Sequence, residues 1–407
     1  MLLLSDLPTL PAGHRQWVVQ AHLDAAIDED FDRLDFTLVE SLADREEEDV
    51  SQLAPMPAAA TRLNVMYDQE ALRAELNVLQ VATWPRQSTY RDGIGVRAEI
   101  DWRSLSLRSL GGHADRTDPG GPGMEEFADT TARLLVGAAS RLLDQVPSPK
   151  RAVRYMALGP GAESNIHADT KCGPRWGVAR LHAPVVTSDG AVLMLDGTEY
   201  QWQPGQLWFG DFSRPHKVAN LGHEVRIHLV IDVLVTAEIT SIFPSAWANY
   251  LDSGDVLYNR RPEPRPGPAE DWSCELALPA GFLTGADPAD VAAWEETVRA
   301  DVRPLPDDGL ALVAETGQRV RLVHVRSGEF RYAGWSEERT VVLPAGGQPP
   351  MVIVRDGRSV FAFTMVARPP QKDVRLTDVP SMDAAARAVA RVAPGLDVDT
   401  RRNGLPG

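Results

Sequence analysis

His167 and Asp169 stand two apart in the stretch PGAESNIHAD, residues 160–169. On an extended segment that spacing turns both side chains to one side. An imidazole and a carboxylate presented together can fill neighbouring positions around a metal ion, and a second histidine from another strand completes a facial set of three. Two His and one carboxylate with three positions left open suit a ferrous ion in oxygen chemistry. An H-x-D pair alone often arises by chance, so the reading depends on the rest of the chain. The second histidine comes from PGQLWFGDFSRPHKVANLGHEVRIHLVID, residues 204–232, where His216 is followed ten positions later by Arg226.

In that run Val225, Ile227, Leu229 and Ile231 alternate with Arg226 and His228, which sends Arg226 to the face opposite Val225 and Ile227. If that face looks inward, a buried guanidinium requires a carboxylate partner, because an unpaired interior charge is very costly. A dicarboxylate co-substrate would supply one, and the planar fork of Arg can hold it bidentately. The other reading is a surface arginine on a two-faced strand.

The order of these signals is PG-x5-H-x-D, R-x-H at Arg180 and His182, PG-x-x-W ending at Trp208, D-x4-H ending at His216, then Arg226. It resembles the aspartyl/asparaginyl β-hydroxylase family of Fe(II)/2-oxoglutarate-dependent dioxygenases. The H-x-D form is similar to the bacterial branch that includes the proline hydroxylases. The stretch WRSLSLRSLGG, residues 102–112, also resembles that family's entry into its core, and the likeness covers roughly residues 61–235.

The resemblance implies that His167, Asp169 and His216 ligate iron and that Arg226 binds the distal carboxylate of 2-oxoglutarate, with O2 as the third participant. Arg180 and His182 would approach the other end of the co-substrate, or Arg180 would face the substrate. Arg154, thirteen positions before His167, would grip a substrate carboxylate, the alternative being an ordinary salt bridge. A serine that helps hold the co-substrate in the animal enzymes aligns with Met156, so another donor substitutes or Arg226 works alone. Those peptide hydroxylases also lack the ligand carboxylate, so their substrate is not carried over. The expected activity is hydroxylation of an unactivated C–H of an amino acid or amino-acid-derived small molecule. A peptide- or carrier-bound aminoacyl residue is the alternative, and a non-catalytic jelly-roll binding protein is the alternative of another class. Asp169 leaves no vacancy for a halide, which favours hydroxylation over halogenation; desaturation and ring formation stay open.

Among the neighbours, His228 reads as a hydrogen-bonded histidine rather than a fourth ligand. Asp211 would orient His216 or cap a turn. The insert KCGPRWG, residues 171–177, holds Cys172 and Trp176 and reads as a flexible loop that closes over substrate. Trp208 reads as core, and His113 and His223 as solvent-facing loop residues.

The elements needed to position this set predict an α+β fold. Its core is a double-stranded β-helix (jelly-roll, cupin-like) with flanking helices, and a C-terminal α+β domain is added. Helices are expected over residues 70–79 and 130–143, the second with Leu134, Leu135, Ala138 and Leu142 on one face. Short strands punctuated by Gly, Pro and Asp follow. Residues 1–60 form an acidic helical region: residues 24–49 hold twelve acids against two bases, interleaved with apolar residues at three- and four-residue steps. The catalytic core occupies 61–258, a Pro-rich linker 259–272, and an accessory domain 273–407. In the last, Asp287, Pro288 and Asp290 signal a helix start, with Val291, Trp294 and Val298 on one side, and a final helix runs over 381–394. Its one histidine is His324, so it is expected to be non-catalytic, shaping access or mediating contact with a second copy or a peptide or carrier partner.

A chain of 407 residues exceeds the length at which one core stops growing. A net charge of −16 with no basic cluster argues against nucleic acid. Cys172 and Cys274 match no zinc spacing and make at most one bridge, which favours a reducing compartment. Asp6 interrupts the apolar start, and no apolar run approaches the ~18 residues that span a bilayer, so a cytoplasmic protein without membrane contact is expected.

Overall fold

Strands that pair almost throughout in antiparallel fashion carry the computed structural model, which describes residues 15–21, 36–39, 56–91, 94–97, 100–288, 290–344, 350–357 and 359–368. In chain order they begin with β1 (Arg15–Ala21), β2 (Phe36–Val39), β3 (Ala60–Met66), β4 (Ser88–Arg91), β5 (Ile94–Arg97), β6 (Trp102–Leu110) and β7 (Phe127–Asp129). There follow β8 (Lys150–Leu158), β9 (Val178–Val186), β10 (Ala191–Leu195), β11 (Thr198–Tyr200), β12 (Gln206–Gly210), β13 (His216–Asn220) and β14 (Arg226–Leu234).

Two sheets build the part that holds the motifs. One has seven strands in the order β3-β12-β9-β14-β8-β6-β7, the other three in the order β11-β10-β13. From β8 onward the chain crosses between them: β8, β9, β12 and β14 lie in the large sheet, whereas β10 and β13 lie in the small one. Between β8 and β9, Glu163 and His167 bridge to Ala219 and His216 on the free side of β13. This alternation is a jelly-roll arrangement of antiparallel strands. Period-two patterning explains why the large sheet is buried on both faces. Ile227, Leu229, Ile231 and Val233 of β14 enter the main hydrophobic core with Val153, Tyr155 and Ala157 of β8 and Ala179, Leu181 and Ala183 of β9. The residues between them look the other way, into the space between the sheets.

Helix α1 (Gln69–Leu79) closes that core with Leu72, Leu76 and Leu79, and Asp68 caps it by accepting from Ala71 N at 3.0 Å. The expected helix over 130–143 is interrupted. A single 3-10 turn, Thr131–Leu135, precedes α2 (Gly137–Asp144), and Val136 between them is extended. The break releases Leu134, 86% exposed, and Leu135 from the apolar face they were assigned to, while Ala138 and Leu142 stay buried. Glycine at 137 and β-branched Val136 are both poor continuations of a helix. A short α3 (Ala248–Leu251) follows the large sheet.

The later strands are β15 (Cys274–Pro279), β16 (Thr297–Pro304), β17 (Leu310–Ala314), β18 (Arg319–Arg326), β19 (Glu329–Tyr332), β20 (Arg339–Val342), β21 (Met351–Asp356), β22 (Ser359–Thr364) and β23 (Val366–Arg368). From β15 to β22 each pairs with the next in a meander, and β22 runs into β23 through Met365 alone. Because β23 pairs with β15, the meander closes into a ring around a second core that includes Leu276, Phe282, Leu312, Phe330 and Phe363. Among the described residues its α-helices are two short ones, α4 (Ala280–Thr284) and α5 (Val291–Glu295). Val298, assigned to the face of α5, lies instead on β16. Strands therefore carry most of the regular structure in the described part of this region.

The Pro-rich segment is held in place. Arg260 pairs with Glu329 and Glu337 at 2.5 Å each, and Trp272 enters the second core. The acidic stretch 24–49 lies outside the described residues except for β2, which is extended rather than helical. The expected helix over 381–394 lies outside them altogether. Among the described residues no helix is long and apolar enough to cross a membrane.

Candidate active site

The strand alternation delivers the site. Facing away from the core, Arg154 and Met156 on β8, Val178, Arg180 and His182 on β9, His216 and Val218 on β13, and Arg226, Val230 and Asp232 on β14 line one cavity of about 500 Å³. That volume is in the range of small-molecule sites. His167 and Asp169, on the segment before β9, complete it.

The ladder fixes His167 and His216 against each other. His167 N donates to His216 O at 2.9 Å and His216 N returns a bond to His167 O at 2.8 Å, while Asp169 N donates to Phe212 O at 2.8 Å. The donor atoms of His167, Asp169 and His216 all lie within 4.8 Å of one another. Each imidazole gives its Nδ1 proton to a backbone carbonyl, His167 to Asn165 O at 2.8 Å and His216 to Arg214 O at 2.9 Å. That fixes the tautomer and turns both Nε2 lone pairs toward the cavity, as a metal requires. Burial also lowers the pKa of His216, which favours the neutral, ligating form. The residues present therefore fit a divalent ion with three protein ligands. Asp211 does not touch His216. It accepts from Ser213 Oγ at 2.5 Å and from Arg214 Nε at 3.0 Å, and so shapes the turn whose Arg214 carbonyl orients His216.

Behind the metal set lies a buried charge network. Arg180 forks onto Asp232 through Nε at 2.6 Å and Nη2 at 3.1 Å, and its Nη1 donates to Asp169 Oδ2. Arg154 shares the same carboxylate, Nη2 to Asp232 Oδ2 at 3.2 Å, and gives Nη1 to Thr117 O at 3.0 Å. Burial would raise the pKa of Asp232, but Arg180 and Arg154 outweigh it and hold the carboxyl below its ordinary value. Arg180 thus positions the Asp169 carboxylate, and Arg154 spends two of its donors within the protein.

Arg226 is different. It is 7% exposed and has no carboxylate partner among the described residues; its Nη2 donates to His228 Nδ1 at 3.0 Å. Burial alone brings its pKa down to about 10. The same bond places the proton of His228 on Nε2 and makes it a hydrogen-bonded neighbour of Arg226, not a ligand. His182 Nδ1 lies 3.3 Å from His228 Nδ1, and His182 Nε2 is buried with no partner among the described residues. Burial, followed by the charge of Arg226, holds both histidines well below their usual pKa.

Three features were not visible in the sequence motifs. Asp232 continues the alternation of Arg226 and His228, and that pattern could have found it. Arg151 could not be found this way, since strict alternation from Arg154 sends it to the core. A register shift between Ile231 and Val233 sets Lys150 opposite Val233 and bulges β8, which turns Arg151 to the cavity. Trp335 reaches the cavity from the loop after β19, so the C-terminal ring supplies part of its wall. That ring also pins the 171–177 insert expected to move. Lys171 pairs with Glu338 at 2.6 Å, Arg175 pairs with Asp356, and Cys172 is buried. Trp208 is half-buried and stacks on Trp202 at 5.7 Å, and His113 is an exposed partner of Glu125 at 3.2 Å.

Burial pushes both thiols, Cys172 and Cys274, up to about 12. Neither is expected to react with a disulfide reagent at pH 8 in the folded chain, whereas both should react in denaturant. Rapid labelling of one thiol under native conditions would show that its cover opens.

Residues 67–235 match the family described as Aspartyl/Asparaginyl beta-hydroxylase. No curated protein matches the chain. Among solved structures, it is similar to an oxidoreductase of the 2OG-Fe(II) oxygenase family from Burkholderia pseudomallei, with 11% identity over 43% of this chain and 85% of that one, at a TM-score of 0.30. A Pseudomonas putida prolyl-4-hydroxylase shares 17% identity over 44% of this chain and 93% of that one, at 0.26. A Trichoplax adhaerens prolyl hydroxylase, solved with a hypoxia inducible factor peptide fragment, shares 12% over 43% and 83%, at 0.31. These loose likenesses add nothing to the assignment of function.

Proposed function

We propose that the chain is an Fe(II)- and 2-oxoglutarate-dependent hydroxylase of an unactivated C–H in an amino acid or amino-acid-derived small molecule. The observation that carries this is the meeting, in one cavity, of the His167–Asp169–His216 donor set with a buried guanidinium, Arg226, that lacks an anion. When iron, 2-oxoglutarate and O2 are bound, such a centre couples oxidative decarboxylation of the co-substrate to insertion of oxygen into an aliphatic C–H.

The protein's own contribution is placement and charge. Asn165 and Arg214 carbonyls hold the imidazoles to one tautomer, and Arg180 holds the Asp169 carboxylate. Arg226 offers two-pronged binding to the far carboxylate of the co-substrate, in a setting where desolvation strengthens the pair. Met156, opposite His228 in the ladder, gives no hydrogen-bond donor there, so the anchor rests on Arg226. The wall formed by Trp335 and the pinned insert narrows access, which supports a small substrate over a folded protein.

Calorimetric titration of 2-oxoglutarate into the anaerobic chain with Mn(II) tests the assignment. Arg226→Ala is expected to weaken binding by on the order of 30-fold or more, since truncating one partner of a buried charge pair costs at least about 2 kcal/mol. The affinity for Mn(II) alone should hardly change. Unaltered 2-oxoglutarate affinity in the variant would move the anchor elsewhere and undo the proposed role of this cavity.

A further inference from the structure

Arg151 is 6% exposed, lines the cavity at the end away from Arg226, and takes part in no ion pair among the described residues. Its guanidinium lies over two aromatic rings, 5.4 Å from the centre of Phe127 and 5.1 Å from that of Trp335. One N–H is used, Nη2 to Gly334 O at 3.0 Å, and its Nε is buried with no acceptor. Both rings thus stand beside a guanidinium whose Nε has no acceptor. A β-bulge places it there, and bulges beside active sites commonly re-aim a side chain. Packing alone gives no reason to bury a permanent cation with an unsatisfied N–H.

The charge of the cavity points the same way. Four arginines, Arg151, Arg154, Arg180 and Arg226, face two aspartates, Asp169 and Asp232, and Lys171 is neutralised by Glu338. A surplus of two positive charges is left. Fe(II) and doubly charged 2-oxoglutarate would add charges that cancel each other, so the surplus remains for a third species to meet. Arg154 and Arg180 already share Asp232. Among the described residues that line the cavity, Arg151 is the guanidinium beyond Arg226 with no ion pair to a carboxylate.

We propose that Arg151, walled by Phe127 and by Trp335 of the C-terminal ring, is the subsite for a carboxylate carried by the substrate. This rests on the hydroxylase reading above and narrows it: the substrate is a small carboxylic acid whose acid end turns toward Arg151 and away from the metal ligands. Trp335 lies beyond residues 67–235, so the specificity element is assembled from the family domain and the C-terminal ring together.

The full-length chain, held anaerobic with Mn(II) and 2-oxoglutarate, is titrated calorimetrically with free L-amino acids, small dicarboxylic acids and the amides of each. At least one acid is expected to bind, with its amide weaker by about tenfold or more, since a charge-assisted hydrogen bond is lost. This comparison on the parent chain needs no variant to fold. Arg151→Gln should lose the same acid by a similar factor while keeping its 2-oxoglutarate affinity within about twofold, the two sites being separate. Acids and amides that bind alike, an acid indifferent to the substitution, or no acid binding at all would each overturn the subsite. The 2-oxoglutarate arm separates the two readings. Its failure on the parent chain overturns the hydroxylase reading and this one with it, whereas indifferent acids with intact 2-oxoglutarate binding overturn the Arg151 subsite alone.

Discussion

Asp169→Ala and His216→Ala are each expected to abolish turnover and to weaken Mn(II) binding by at least about 100-fold, beyond what loss of an outer partner of a metal ligand does. Each removes one of the three donors gathered within 4.8 Å. The fold should survive, because the segments that present the donors are bonded backbone to backbone, His167 with His216 and Asp169 with Phe212, and the large sheet packs its own core through Ile227, Leu229 and Ile231. Asp169→Ala carries a second consequence. Arg180 loses one of its two carboxylates but keeps its fork on Asp232, so the guanidinium should stay in place. Succinate release and a circular-dichroism spectrum measured on the same preparations check this. A variant with parent-like turnover would remove its residue from the metal set, and an unfolded one would mean that the donor set also holds the sheets together.

How far the sequence could be read follows from what strand periodicity does and does not encode. Alternation along β14 placed Arg226 and His228 opposite the apolar residues, and the structure has them so. The H-x-D spacing brought His167 and Asp169 to one cavity because Pro160 and Gly161 end β8 and release an extended segment that bridges β13 at His216. Periodicity fails where one residue is inserted. The bulge opposite Asp232 shifts Arg151 from the core face to the cavity face, and nothing in KRAVRYMAL announces it. It fails again for helices that share a boundary. The apolar spacing of residues 130–143 is helical throughout, yet Val136 breaks it and leaves Leu134 and Leu135 outside. Long-range closure is equally silent. That Glu338 and Asp356, far along the chain, clamp Lys171 and Arg175 is a matter of tertiary pairing, so a segment rich in Gly and charge read as a mobile lid.

Asp232→Asn is expected to destabilise the chain strongly, and in a way that depends on pH. The parent carboxylate, buried at 2% exposure, compensates Arg180 through two hydrogen bonds and Arg154 through a third. Asparagine keeps the shape and one acceptor but removes the charge, leaving two buried guanidinium groups to face each other with Asp169 and Asp118 as the carboxylates near them. Breaking a buried pair from one side typically costs about 3–5 kcal/mol, a large part of the roughly 5–15 kcal/mol that holds a domain together. The sign of the pH dependence follows from the direction of the shift. The folded carboxyl is held below its ordinary value, so folding releases a proton near acid pH. Its contribution is present in full above the unfolded pKa of about 3.9 and is lost as the pH falls from there through the depressed folded value. Urea unfolding of parent and variant should therefore show a constant gap from neutral pH to about pH 5, narrowing only in more acid solution. A gap that is absent at pH 7, or that closes as the pH rises, would mean that Asp232 does not carry the negative charge on which Arg154 and Arg180 depend.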